Sequence, residues 1–230
     1  VVTNTSAFTL PLITLNAMIL FLLPLAVAIF AGESVAGEAG WGSLRYVLIR
    51  AVPRWRVLGA KAAMAGALSL GVVIATAVVA LAAGVVAFGW RPLTVIDLQH
   101  TSPLHIASAT FSPWQSTGRL ALTVGFMACT LASTFGFALF LSTLTDRAFG
   151  AVAGGVGLGV VSRAIDNVPG LHALSPWLPV TDSGTSAWTG LFFLPAQTSG
   201  IWHALGVQGA YLVVFLGAAW LWFIRSDVLT

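Results

Sequence analysis

Charge is scarce in this 230-residue chain: Asp, Glu, Lys and Arg together make up 7% of it, against roughly 25% in soluble domains. With 58% hydrophobic residues and a mean hydropathy of +0.95, that scarcity excludes an ordinary soluble domain. Cysteine is almost absent too. The lone Cys129 excludes an intrachain disulfide and offers no cysteine pair to zinc. His100 and His105 are five apart, not the three or four that put two imidazoles on one helix face. With no HExxH in the chain, they read as solvated loop residues and no metal site is expected. Neither a GxxxxGK[ST] phosphate loop nor a GxSxG nucleophile turn is present, so no catalytic residue is assigned. Strict apolar/polar alternation is missing as well, which excludes a β-barrel.

What the chain does contain is long apolar runs. Hydrocarbon leaves no partner for backbone polar groups, and about 20 apolar residues span it as a helix. The runs predict an all-α, polytopic membrane helix bundle with spanning helices over 10–31, 62–90, 120–144, 148–168 and 205–224. The net charge of +3 reflects basic residues in loops rather than nucleic-acid binding. Five of the ten basic residues lie between Glu33 and Lys61. If that connector is cytoplasmic, Arg45, Arg50, Arg54, Arg56, Lys61, Arg147 and Arg225 are inside, and Arg91, Arg119 and Arg163 outside. Seven against three favours this orientation and a cytoplasmic C-terminus. Five helices then put Val1 outside without a signal peptide, so one more helix is expected before Val1, six in all. Near-absent lysine beside abundant Ala, Gly, Val and Arg fits a bacterial plasma (inner) membrane.

Tryptophans mark the same boundaries. Trp90, Trp114 and Trp202 fall at outer ends, and Trp41, Trp55, Trp220 and Trp222 at or near inner ends, as amphipathic rings prefer. Two outer segments remain, 91–119 and 169–202. The second is too apolar for a free loop and too interrupted by proline to span, so it predicts a re-entrant or interfacial element.

Several polar residues inside the runs are candidates for a path or a gate. Thr123, Thr130 and Thr134 fall on one narrow stripe of the third helix, where bonding to a carbonyl one turn back competes with path lining. Asn16 and Pro24 suggest a path-lining residue and a kink in the first helix. Arg163 and Asp166, three apart, can pair on one face near the outer interface, as a snorkelling pair or an outer gate. Gly150-xxx-Gly154 and Gly155-xxx-Gly159 are the small-residue spacing that lets membrane helices approach closely.

The connector over 32–61 carries the most specific pattern. Ser43 is a plausible N-cap, and Leu44, Val47, Leu48 and Ala51 share a stripe flanked by Arg45 and Arg50 until Pro53 ends the run. Glu33 and Glu38 weigh against pure lipid binding, since anionic head groups would repel them. The order Glu38, Gly42-Ser43-Leu44, Arg45, Arg50, Pro53-Arg54, Gly59, Lys61 resembles the ABC-2 type permeases of ATP-binding cassette transporters. Phe223-Ile224-Arg225-Ser226-Asp227 is similar to that family's C-terminal end. Ser43 departs from the threonine common there, which changes little.

The resemblance implies a single permease domain over 1–230, exporting a substrate and pairing with a second copy or a homologous permease. Each permease would dock on a separate ATPase subunit that holds ATP and Mg; no cofactor would sit in this chain. The connector would supply the coupling contacts: Glu33, Glu38, Gly42, Ser43, Arg45, Arg50, Pro53, Arg54 and Arg56. Two other classes stay open: an intramembrane enzyme using Glu33 and Glu38 as acid and base, and a non-catalytic membrane scaffold.

Overall fold

The computed structural model describes residues 6–41, 53–97, 107–168, 170–171, 173–181, 191 and 199–225. Over these residues the chain is a membrane-embedded helix bundle. Five helical stretches are long and apolar enough to cross a bilayer: Leu22–Gly40, Arg54–Phe88, Pro113–Leu144, Ala148–Asp166 and Ile201–Arg225.

The run expected as one helix over 10–31 is two, α1 (Thr9–Met18) and α2 (Leu22–Gly40). Pro24 causes the break. It has no N–H for the Leu20 carbonyl four residues back, and its ring crowds that carbonyl. The backbone leaves helical geometry at Phe21 (φ −146°, ψ −49°). Helix α2 then runs on past Ala31, through Glu33 and Glu38, to Gly40. The connector expected over 32–61 is therefore confined to 41–53. Charge marks contact with water or a partner, but it does not end a helix, and nothing between Gly32 and Ala39 removes a backbone donor.

Helix α3 (Arg54–Phe88) begins directly after Pro53, eight residues earlier than expected, and runs for 35 residues. At about 1.5 Å per residue it is roughly 52 Å long, well over the ~30 Å hydrocarbon layer, so it projects beyond it. Gly89 ends it at φ +75°, where a side chain would be strained. The segment over 91–119 is not one polar loop. Strands β1 (Leu93–Asp97) and β2 (Ala107–Phe111) pair antiparallel, from Leu93 opposite Phe111 to Asp97 opposite Ala107. Helix α4 (Pro113–Thr130) starts at a capping box: the Gln115 N–H donates to Ser112 Oγ (3.4 Å), and the Ser112 N–H to Gln115 Oε1 (3.1 Å). Two backbone donors of the first turn are thus satisfied before the apolar run begins.

Helix α5 (Ala132–Leu144) continues α4 through a kink at Leu131. Thr130 donates to the Met127 carbonyl at 2.9 Å, the back-bonding that bends helices. Helix α6 (Ala148–Asp166) lies where expected. A 3-10 turn (Ser175–Trp177) precedes α7 (Ser199–Arg225).

Helices α2 and α5 form the centre. Helix α2 packs against α3, α5 and α6, and α5 also packs against α7. Lipid offers no hydrophobic drive for this association, so close approach of backbones supplies it. A Cβ on Gly155 would lie 2.7 Å from Ala138 Cβ and 3.1 Å from Ala28 Cβ, and one on Gly32 would lie 2.9 Å from Val152 Cγ2. Gly154 presses on Leu141, whereas Gly150 and Gly157 face open space. Phe8, Leu12, Leu93, Phe111 and Met127 close a core at the hairpin end, and Val35, Leu58 and Phe223 at the other, called here the Arg54 end. Met64, Leu68, Val79 and Val86 of α3 stay exposed, as lipid-facing residues do.

Candidate functional site

The break between α1 and α2 leaves the carbonyls of Ile19 and Leu20 without helical donors. Arg163, in the last turn of α6, supplies them. Its Nη2 donates to the Ile19 oxygen at 3.2 Å and its Nη1 to the Leu20 oxygen. The guanidinium thus lies at two helix C-termini, its own and that of α1, where the partial negative charge favours a cation. One turn on, Asp166 is buried. Pro24 and Arg163 are complementary: the proline withholds a donor, and an arginine from another helix provides one.

The kink at Leu131 lies near this break. Measured along the helices from their Arg54-end termini, Leu131 stands about 20 Å up, Arg163 about 22 Å and Phe21 about 28 Å. A cavity of about 30 Å³ joins them, bordered by Pro24, Thr130, Thr134, Gly159, Arg163 and Val180. That is room for about one water. The segment before α7 reaches the same level. The Pro179 carbonyl accepts from Ser133 Oγ at 3.2 Å and from Gln208 Nε2. Ser162 donates to Leu158 at 2.7 Å. These groups make a polar layer across the bundle, and Pro179, Val180 and Thr181, all buried, place part of the 169–202 segment inside it, whereas the 3-10 turn before them stays at the surface. A polar layer at a broken helix can contact a polar group crossing the bundle, and its hydrogen bonds can exchange as helices shift.

At the Arg54 end, Lys61 of α3 meets Glu38 of α2 at 2.6 Å and donates to the Ser34 carbonyl at 2.6 Å. Ser142 Oγ of α5 accepts the N–H groups of Val35 (3.1 Å) and Ala36 (2.9 Å). Three helices are therefore tied together on α2. Beside them, Trp55 and Arg56 are exposed, with the Arg56 guanidinium 5.2 Å from the Trp55 ring centre. Arg54 and Arg56 occupy the first turn of α3, where the helix dipole disfavours cations. Helix stability does not account for them there.

The sequence-expected residues separate into groups. Thr130, Thr134, Arg163 and Pro24 border one cavity. Thr123 is buried nearer the hairpin end and bonds the Arg119 carbonyl at 2.9 Å. Asn16 is exposed on α1 and lines nothing inside the bundle; its helix is displaced from α2 by the Pro24 break. Glu33 and Glu38, five apart on one helix, point about 140° from each other. Glu38 meets Lys61 while Glu33 is exposed, so the structure does not bring them together. Gly42, Ser43, Arg45, Arg50, His100 and His105 lie outside the described residues. Gln208, Ser133 and Ser142 were missed. Gln208 was visible as an amide within an apolar run, but a buried serine in a membrane helix looks the same whether it bonds its own helix or another. Among the described residues no group of three or more His, Cys, Asp or Glu could hold a metal.

A family model described as "Protein of unknown function (DUF2705)" matches residues 2–229. No curated protein matches the chain, and no solved structure does.

Proposed function

We propose that this chain, which belongs to the DUF2705 family, is the membrane permease subunit of an ATP-binding cassette transporter. It would sit in a bacterial plasma membrane with its Arg54 end and C-terminus in the cytoplasm, export its substrate, and work as a pair of permeases. ATP and Mg would be bound by a separate ATPase subunit. The observation that carries the reading is the Arg54–Trp55–Arg56 start of α3. Its cations oppose the helix dipole, and Trp55 and Arg56 are exposed, as residues kept for an acidic partner would be. Helix α3 is unbroken over 35 residues and packs on α2, so a push at its first turn would reach α2 through Lys61 and Glu38. The polar layer at Arg163 supplies a place where two arrangements of the bundle could differ, by making or breaking the Arg163 contacts to α1.

Coexpression with an ATP-binding cassette ATPase from the same genome, sought first in the adjoining reading frames, tests this. The wild-type chain should copurify with the ATPase and change its turnover. Arg54→Glu with Arg56→Glu should abolish both while leaving the permease monodisperse in detergent. Undiminished copurification of the double variant would sink the docking assignment.

A further inference from the structure

Two cavities meet at Leu131, the residue at the kink between α4 and α5. The smaller is the polar one already described, bordered by Thr130, Thr134 and Arg163. The larger, of about 210 Å³, lies on the other side of Leu131, between α2, α3, the α4–α5 pair and α7. Along the helices from the Arg54 end it runs from Leu216, about 14 Å up, to Val73, about 28 Å up. Its inner wall is buried: Val27, Val73 and Leu131 are at most 5% exposed. Its outer wall includes Leu70 of α3, exposed, and Leu212 of α7, half-buried. The chamber therefore opens sideways between these two helices.

The cavities differ in chemistry. Among the side chains lining the larger, the one hydroxyl is Ser69, which donates to the Ala65 carbonyl at 2.8 Å. A buried water needs several polar partners and does not find them there. Apolar cavities of about 150 Å³ take up benzene, so this one has room for a ring with alkyl substituents. In the smaller cavity Thr130 is committed to the Met127 carbonyl. Thr134 is not: it is 1% exposed, and no hydrogen bond joins its hydroxyl to another described residue. Such a buried hydroxyl costs free energy until it meets a polar group. Thr134 and Phe135, which border one cavity each, point about 60° and 40° to either side of Leu131. The wall between the cavities is thus one leucine side chain, which can swing between rotamers.

We propose that the two cavities form one binding site for a neutral, lipophilic phenol. The substituted ring lies in the chamber against Phe135, and the hydroxyl passes Leu131 to reach Thr134. A phenol both donates and accepts, so it meets the threonine hydroxyl in either orientation. Charged ligands fit less well: Arg163 at the small cavity opposes a cation, and Asp166, buried one turn on, opposes an anion. The site goes beyond the transport reading and does not depend on it.

Diisopropylphenol is the probe, with a diazirine-bearing analogue as photolabel, on the purified protein in lipid nanodiscs. Labelling of wild type should saturate, yield to the unlabelled phenol, and fall on chamber residues such as Leu70, Phe135 and Leu212. Gly66→Leu should weaken binding at least about tenfold. Gly66 borders the chamber, and a Cβ there would meet only Phe135 Cζ, at 3.7 Å, so leucine takes up the space without displacing backbone. Gly71→Leu, on the same helix with nothing within 4 Å of its Cβ, should leave binding unchanged. Thr134→Val keeps the shape and removes the hydroxyl. It should weaken the phenol about three- to tenfold, the worth of one neutral hydrogen bond, and leave competition by diisopropylbenzene as in wild type. Labelling that does not saturate, or that falls on the outer face of α7 around Trp202 instead, would overturn the proposal. So would undiminished binding by Gly66→Leu, or equal effects of Thr134→Val on the two compounds. The labelled positions are read on wild type, which keeps the test valid if a variant folds poorly. None of these measurements involves the ATPase, so this site can fail while ATPase docking stands, and the reverse.

Discussion

At Pro24 the chain gives up a backbone hydrogen bond, and the acceptor left behind, the Leu20 carbonyl, takes the Arg163 guanidinium from another helix. This exchange explains why an arginine can sit about 22 Å along a membrane helix without being a defect. Truncating it leaves the Ile19 and Leu20 carbonyls without their donors, which costs about 1–3 kcal/mol. Arg163→Ala should therefore lower stability to unfolding in micelles by that amount. In a Pro24→Ala background, where residue 24 regains an N–H and α2 can extend backward, the same truncation should cost less by on the order of 1 kcal/mol. Strict additivity in this double-mutant cycle would refute the complementarity. Pro24 and Arg163 were each conspicuous in the sequence, as a kink and as a charge. Their relation was not, because they stand 139 positions apart and spacing rules reach only within one helix.

At the scale of elements, glycine spacing shows both the reach and the limit of pattern reading. The run Gly150, Gly154, Gly155, Gly157, Gly159 indicated close helix packing, and α6 does pack closely on α2 and α5. The spacing did not say which glycines make the contact. Gly155 meets Ala138 and Ala28, whereas Gly157 meets nothing within 4 Å. Gly155→Val should destabilise the bundle by about 1–3 kcal/mol, the usual effect of overpacking. Gly157→Val should leave unfolding nearly unchanged. Equal effects of the two would show that glycine acts there through backbone flexibility rather than contact. Element boundaries failed for a related reason. Polar residues were read as outside the helix, yet α2 carries Glu33 and Glu38, and α3 carries Arg54, Arg56 and Lys61. Hydropathy reports the surroundings of a side chain, whereas helix ends obey caps, prolines and glycines.

For the whole molecule, orientation is the property on which the proposed ATPase docking depends. Trp41 and Trp114 are 90% and 82% exposed and lie at the Arg54 and hairpin ends. In a Cys129→Ser background, cysteine at position 114 should react with a membrane-impermeant maleimide on intact cells, and cysteine at position 41 only after the cells are opened. The reverse pattern would invert the molecule and remove the Arg54 end as a docking site. The sequence by itself determined that the chain is a membrane helix bundle, since scarce charge and long apolar runs admit few other solutions in hydrocarbon. It also pointed to a kink at Pro24, because a missing N–H is a property of one residue, but not to the split of that run into two helices. Tertiary structure alone decided that Arg163 caps that break, that Lys61 takes Glu38, and that Glu33 is left facing outward. Those outcomes depend on which faces of separate helices meet, and side-chain periodicity fixes a face without naming its partner.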